Sequence, residues 1–332
     1  MRQFATLFVS LFLFVYAPWS TADVALVHRP AVQQFIHQMV QRHHFDKRQL
    51  ETIMREAVYQ PQIIESMDKP FEKKTWDVYK DLFLTQARVD AGLQFWRENQ
   101  KTLERAEHEF GVPASIIVAI IGVETLYGKH QGTYRVLDAL TTLAFYYPKR
   151  SPYFTKELGE YLLLCREQGV RADLYLGSYA GAMGKPQFMP SSYRFFALDY
   201  AGHGKRDLMN DDRDVIGSVA NYFHRHGWTM GMNVAQPANV RGGQIKKLVT
   251  NSKTPNYTLQ SLLSAGVSPV SLPVHPPKKV GLIELETRKG QEYWLAYPNF
   301  YVITRYNTSP QYALVVYLFS QRLTRQKSRI LM

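Results

Sequence analysis

Pro113-Ala114-Ser115-Ile116-Ile117-Val118-Ala119-Ile120-Ile121-Gly122-Val123-Glu124 is the stretch on which the fold turns. From Ile116 to Val123 every residue is apolar, so a helix here has no face suited to water. Such a helix belongs in the middle of a domain. Gly111-Val112-Pro113 marks the break before it, and Pro113 suits its first turn. Glu124 then brings the first charge since Glu109. A carboxyl at the end of a buried helix loses hydration, which raises its pKa and keeps a proton available near neutral pH. Protonating a glycosidic oxygen calls for such a group. By itself, the feature fits better a helix that simply surfaces at Glu124, since many buried helices end in a charged residue.

Outward from this helix, residues 30–110 show amphipathic helical patterning, with Val32, Phe35, Ile36, Met39 and Val40 on one face. Leu93, Phe95 and Trp96 continue the apolar pattern further on. Ser151-Pro152 reads as an N-cap and N1 proline of a helix running to about Gln168. Asp214 is expected to cap another, through Ile216, Val219, Ala220 and Phe223 to Gly227. After Trp228 the composition shifts to Pro, Gly, Ser, Thr and Val, with alternation at Val280–Leu285. Helical character returns from Gln311 to Arg325. The expected fold is mainly α with a small β-rich insert.

The N-terminus reads as an export signal. Arg2 precedes an apolar run of about 14 residues, Phe4 to Ala17, and Ser20-Thr21-Ala22 offers a cleavage site before Asp23. A membrane-spanning helix would need ~20 residues. A lipid anchor needs a cysteine just after the signal, whereas the one cysteine, Cys165, shares helical spacing with Phe154, Leu158 and Tyr161. It is expected in the core, and no intramolecular disulfide can form. A soluble periplasmic or cell-surface protein is expected, the periplasm first. The net charge of +12 favours anionic partners such as nucleic acid, a membrane surface, or a wall polymer bearing peptide carboxylates. Export and the lack of a nucleic-acid-binding motif exclude the first.

Five motifs stand in order along the chain, the first of them around Glu124. Gly122-Val123-Glu124-Thr125 with Tyr127-Gly128 comes first. Gly177-Ser178-Tyr179-Ala180-Gly181-Ala182-Met183-Gly184 leads into Gln187-Phe188-Met189-Pro190-Ser191-Ser192-Tyr193. Gly217-Ser218-Val219-Ala220-Asn221-Tyr222-Phe223 and Arg305-Tyr306-Asn307-Thr308-Ser309 complete the set. Together they resemble the membrane-bound lytic transglycosylase B family, most strongly over 76–228 and 299–317.

The resemblance implies a lysozyme-like core plus a helical N-terminal domain. It divides the chain into a signal peptide (1–22), a helical N-terminal domain (23–110), a catalytic core (111–231), a β-rich insert (232–298) and a return to the core (299–332). It implies cleavage between N-acetylmuramic acid and N-acetylglucosamine of peptidoglycan without water. One glutamate, here Glu124, first gives and then takes a proton while a 1,6-anhydro ring closes. This departs from the two-carboxylate scheme of most glycosidases. No second carboxylate in the motif regions looks poised, and Asp138 is expected as a helix cap.

By the same resemblance Ser178 supports the glutamate or the substrate's acetamido group. Gln187 and Asn307 carry donors and acceptors suited to sugar hydroxyls and amides. Tyr79, Tyr153, Tyr222, Tyr306 and Tyr312 fall where the family's cleft aromatics do, offering apolar ring faces and a hydroxyl. Each reads equally as half-buried packing, Tyr222 above all. Arg150 is implied to meet stem-peptide or lactyl carboxylates, while Lys149 departs from the family's basic pair.

Some relatives carry a calcium loop where this chain reads Asp199-Tyr200-Ala201-Gly202-His203-Gly204-Lys205. Ala201 and His203 replace oxygen donors, so no metal or other cofactor is expected. His224-Arg225-His226 reads as exposed helix surface. The expected partner is the peptidoglycan strand, and the expected state a monomer; no motif identifies a protein partner among cell-wall synthesis or division proteins. A water-using muramidase and a silent wall-binding protein are the competing readings.

Overall fold

The computed structural model describes residues 26–68, 74–242, 245, 247–273 and 276–331. The expected export segment lies outside them. Two compact units divide the chain, one ending at Tyr59 and one running from Gln60 to Met332.

In the first unit, α1 (Pro30–His43) buries Val32, Phe35, Ile36 and Met39 along one helix face. His44 ends it in the left-handed region at φ 56°. The next helix, α2 (Lys47–Glu56), opens on Asp46, whose side chain accepts from Gln49 N at 2.8 Å.

The second unit begins with α3 (Pro61–Asp68), α4 (Trp76–Phe83), α5 (Gln86–Glu98), α6 (Gln100–Phe110) and α7 (Ala114–Thr125). Strand β1 (Tyr134–Arg135) is followed by α8 (Val136–Tyr146), a 3-10 turn (Pro148–Arg150) and α9 (Ser151–Gln168). Strand β2 (Leu176–Gly177) pairs antiparallel with β1, and α10 (Pro190–Phe196) and α11 (Asp212–Arg225) follow. The β-rich region comprises β3 (Ala235–Val240), α12 (Leu259–Ser264), β4 (Val267–Pro269), β5 (Gly281–Thr287) and β6 (Gly290–Ala296). Its strands form one antiparallel sheet in the order β4-β3-β6-β5. Leu262, Val267, Val280, Leu282, Leu295 and Tyr297 close that sheet's own core. The chain then returns to helix in α13 (Pro298–Ile303) and α14 (Pro310–Leu331).

Helix α7 holds the centre. Every residue from Ile116 to Val123 is buried, and α5, α6, α11 and α14 pack around it. Residues 60–110 thus belong to the second unit, with α6 packed on both α7 and α11. Cys165 is buried on α9, where burial pushes its thiol up to about 12. Among the described residues no single helix is long and apolar enough to cross a membrane.

Three caps differ from expectation by one to three residues. Arg150 caps α9, leaving Ser151 to donate to Ala144 O at 2.6 Å. Asp211 caps α11, accepting from Arg213 N at 2.9 Å. Asp214 is drawn inward instead, where it accepts from Ala201 N and Asp207 N, each at 2.8 Å. Asp138 is no cap either; it lies inside the first turn of α8 and pairs with Arg135 at 2.7 Å.

Candidate active site

Local geometry at the end of α7 accounts for the whole Gly122–Gly128 motif. The helix stops in two consecutive left-handed residues, Leu126 at φ 50° and Tyr127 at φ 59°, followed by Gly128 at φ 90°. Thr125 latches this turn: its hydroxyl donates to Lys185 O at 2.7 Å and accepts from Gly128 N at 3.0 Å. Tyr127 folds back into a slot between α5 and α7, stacked on Phe95 at 4.9 Å. A Cβ at Gly122 would lie 2.4 Å from the Tyr127 hydroxyl, and one at Gly92 2.5 Å, so both positions must lack a side chain. Arg88 donates to Gly122 O at 2.6 Å, where a cation also suits the negative end of the helix dipole.

Glu124 is therefore held on a rigid stub. It is half-buried: water reaches one side while protein crowds the rest. This loss of hydration pushes the carboxyl up to about 7, against the opposing pull of a hydrogen bond from Tyr312 Oη at 2.5 Å. Burial, and then the Glu124 charge, holds both Tyr306 and Tyr312 well above the ordinary tyrosine range. Tyr312 is the one hydrogen-bond donor among the described residues that lowers the Glu124 carboxyl.

The tyrosines form a connected wall. Tyr306 donates to Pro186 O at 2.6 Å, and its ring lies 4.9 Å from that of Tyr222. Tyr222 donates in turn to Arg305 O at 2.7 Å. Tyr79, Tyr222 and Tyr312 are at most 6% exposed, so they offer edges and hydroxyls rather than open faces. Tyr153 differs at 38% exposed, with the Arg150 guanidinium 4.6 Å from its ring centroid. His226 corrects an expectation: it stacks on Tyr222 at 4.2 Å and bonds Tyr222 O at 2.7 Å instead of facing water. Burial lowers its pKa.

Ser178 and Gln187 occupy adjoining turns. Ser178 Oγ accepts from Ala182 N at 3.1 Å and Ala180 N at 3.3 Å, which shapes the Gly-rich loop and leaves its hydrogen available. Met183 and Phe188 exchange backbone bonds of 2.8 and 3.0 Å and bring the two motifs together. Gln187 is left-handed at φ 51°, and its amide hydrogens reach Gln131 O and Gly184 O, both at 3.0 Å. Asn307 Oδ1 accepts from Ser309 N at 2.9 Å at the entry to α14. Lys149 is engaged by Asp68 at 2.7 Å.

Thr125, Arg88 and Glu157 were not singled out from sequence. Buried Glu157 on α9 accepts from Ser191 N at 2.9 Å and Ser191 Oγ at 2.7 Å, fixing the turn just beyond Gln187. Burial raises its pKa. The signal for Thr125 was its place beside Glu124; Arg88 and Glu157 left none, because their partners are distant in sequence.

The 199–214 loop does not fit calcium. Asp199 accepts from His203 N at 2.8 Å and Gly204 N at 2.7 Å, and Asp214 closes the other side on Ala201 and Asp207. Both carboxylates already accept backbone hydrogens, and of loop positions 1, 3 and 5 the last two hold Ala201 and His203, which bring no side-chain oxygen.

Residues 28–321 match the family described as the transglycosylase SLT domain. The chain is 41% identical over 304 residues to membrane-bound lytic murein transglycosylase B of Escherichia coli (strain K12), covering 89% of this chain and 82% of that one. The crystal structure of soluble lytic transglycosylase SltB1 from Pseudomonas aeruginosa is 43% identical with a TM-score of 0.84, covering 90% of this chain and 100% of that chain. SltB3 from Pseudomonas aeruginosa, solved with NAG-anhNAM-pentapeptide, is 27% identical with a TM-score of 0.75, covering 87% and 78%. Fold and site together define a lytic transglycosylase with a lysozyme-like architecture. The chain belongs to the transglycosylase SLT family.

Proposed function

We propose that the protein cleaves the β-1,4 bond between N-acetylmuramic acid and N-acetylglucosamine in peptidoglycan, with Glu124 as acid and then base. The carrying observation is a desolvated carboxyl at about 7, hydrogen-bonded by Tyr312 and shifted by no second carboxylate among the described residues. Near neutral pH a substantial share of Glu124 holds its proton, ready for the leaving oxygen. As the C1–O4 bond breaks, that proton passes to O4. The resulting carboxylate, favoured by Tyr312, takes the proton of the muramic acid's 6-hydroxyl while O6 bonds to C1. Atoms balance without water, and Glu124 ends as it began.

Most retaining and inverting hydrolases pair their acid with a second carboxylate within about 10 Å. No carboxylate among the described residues shifts the titration of Glu124, which supports anhydro-ring closure over that two-carboxylate scheme. Ser178, Gln187, Asn307 and the tyrosine wall hold the sugars, and Arg150 meets a substrate carboxylate. The export signal expected from residues 1–22 supports a periplasmic setting for this activity.

Mass spectrometry of products from purified sacculi tests the reading. Anhydro-ended muropeptides are expected from the wild type and none from Glu124→Gln. Products heavier by one water would make the enzyme a muramidase, and equal release by both proteins would remove Glu124 from its role.

A further inference from the structure

The connection from α13 to α14 carries Tyr306 and Asn307 on one side and walls a small pocket on the other. This pocket, about 90 Å³, lies between that connection and the turn at residues 251–253 of the β-rich region. Phe300 lines it from α13, Thr304, Arg305 and Thr308 from the connection, and Ser252 and Lys253 from the turn.

Two properties mark it as an anion site. Lys253 and Arg305 are both exposed, and neither has an acidic partner among the described residues. The elements that carry them are also fixed in advance. Asn251 clamps the turn to β5, donating to Glu284 O at 2.9 Å and accepting from Glu284 N at 3.0 Å. The Arg305 backbone is pinned by the Tyr222 hydroxyl at 2.7 Å. With both backbones held, an arriving anion has only the two side chains left to order.

The size suits a small anion. About 90 Å³ accommodates a carboxylate with its first carbons. Arg305 directly precedes Tyr306, whose ring belongs to the wall beside Glu124. A glycan strand bound at Glu124 brings peptide carboxylates on alternate sugars. We propose that the Lys253–Arg305 pocket binds a carboxylate of the peptide stem carried by that strand. This rests on the peptidoglycan reading above.

Kinetics on two substrates test it: peptide-bearing glycan, and the same glycan stripped of its peptides by an amidase. Lys253→Glu with Arg305→Glu is expected to lower kcat/KM about tenfold on the first, chiefly through KM, and to leave the second unchanged. Equal loss on both substrates, or no loss on either, overturns the pocket. Calorimetry with N-acetylmuramyl dipeptide and its diamide is independent of turnover. The wild type should prefer the free acid, and the double variant should not. An identical preference in both proteins overturns the proposal even if the cleft acts on another glycan.

Discussion

Tyr312 Oη donates to Glu124 Oε1 across 2.5 Å, a contact between residues 188 positions apart. Burial drives the Glu124 carboxyl upward, and this bond is the one force recorded against it. Tyr312→Phe removes the donor with almost no change in volume. A hydrogen bond to a charged group contributes ~1.5–3 kcal/mol, which corresponds to about one to two pH units. The alkaline limb of the pH–rate profile for anhydro-product release should therefore move up by about one unit or more. The maximal rate should fall as the carboxylate loses its partner. An unmoved limb would show that Tyr312 does not govern the acid.

Glu124 also makes stability depend on pH. Its pKa rises from 4.5 to about 7 on folding, so the folded state holds the proton more firmly. The associated stability is present below about 4.5 and lost as pH rises through 7. At ~1.4 kcal/mol per unit the loss is on the order of 3 kcal/mol. Glu124→Gln, which cannot ionise, should match the wild type near pH 4 and exceed it by about 2–3 kcal/mol at pH 8 in urea denaturation. A difference independent of pH would contradict a desolvated carboxyl.

Thr125→Val keeps the shape of the side chain but leaves Lys185 O and Gly128 N without their partner. Unsatisfied buried groups cost ~1–3 kcal/mol each. The variant should melt several degrees lower and lose activity, while Thr125→Ser should retain most of both. A wild-type melting curve for Thr125→Val would mean that the turn after α7 needs no latch.

Calcium should be indifferent to this protein. A ligand that binds only the folded state raises its stability by RT ln(1 + [L]/Kd). With Asp199 and Asp214 already bonded to backbone hydrogens, millimolar calcium or excess chelator should shift the melting temperature by less than ~1 °C. A rise of several degrees with calcium would show that the loop rearranges to coordinate the ion.

How far the chain could be read before its structure was known depended on the range of each interaction. Helix α7 was legible because eight successive apolar residues leave no surface face, and Glu124 because it breaks a charge-free run. Caps were less legible. An aspartate such as Asp214 serves equally at the cap or within the first turn, and distant Ala201 and Asp207 decided for the latter. His226 was misjudged for a similar reason, since Tyr222 captures it from its own helix. Least legible was the Tyr127 slot, which needs glycines at both 92 and 122, on two separate helices. Pattern within one helix cannot announce a cavity shared by two.

Position 187 has a chemical polarity that its residue type conceals. A free glutamine side chain can give or receive a hydrogen, but here both amide hydrogens are committed to the carbonyls of Gln131 and Gly184. Only Oε1 remains. Whatever meets Gln187 must bring the hydrogen itself, so an amide N–H or a hydroxyl is welcome at that point, and a bare carbonyl is turned away.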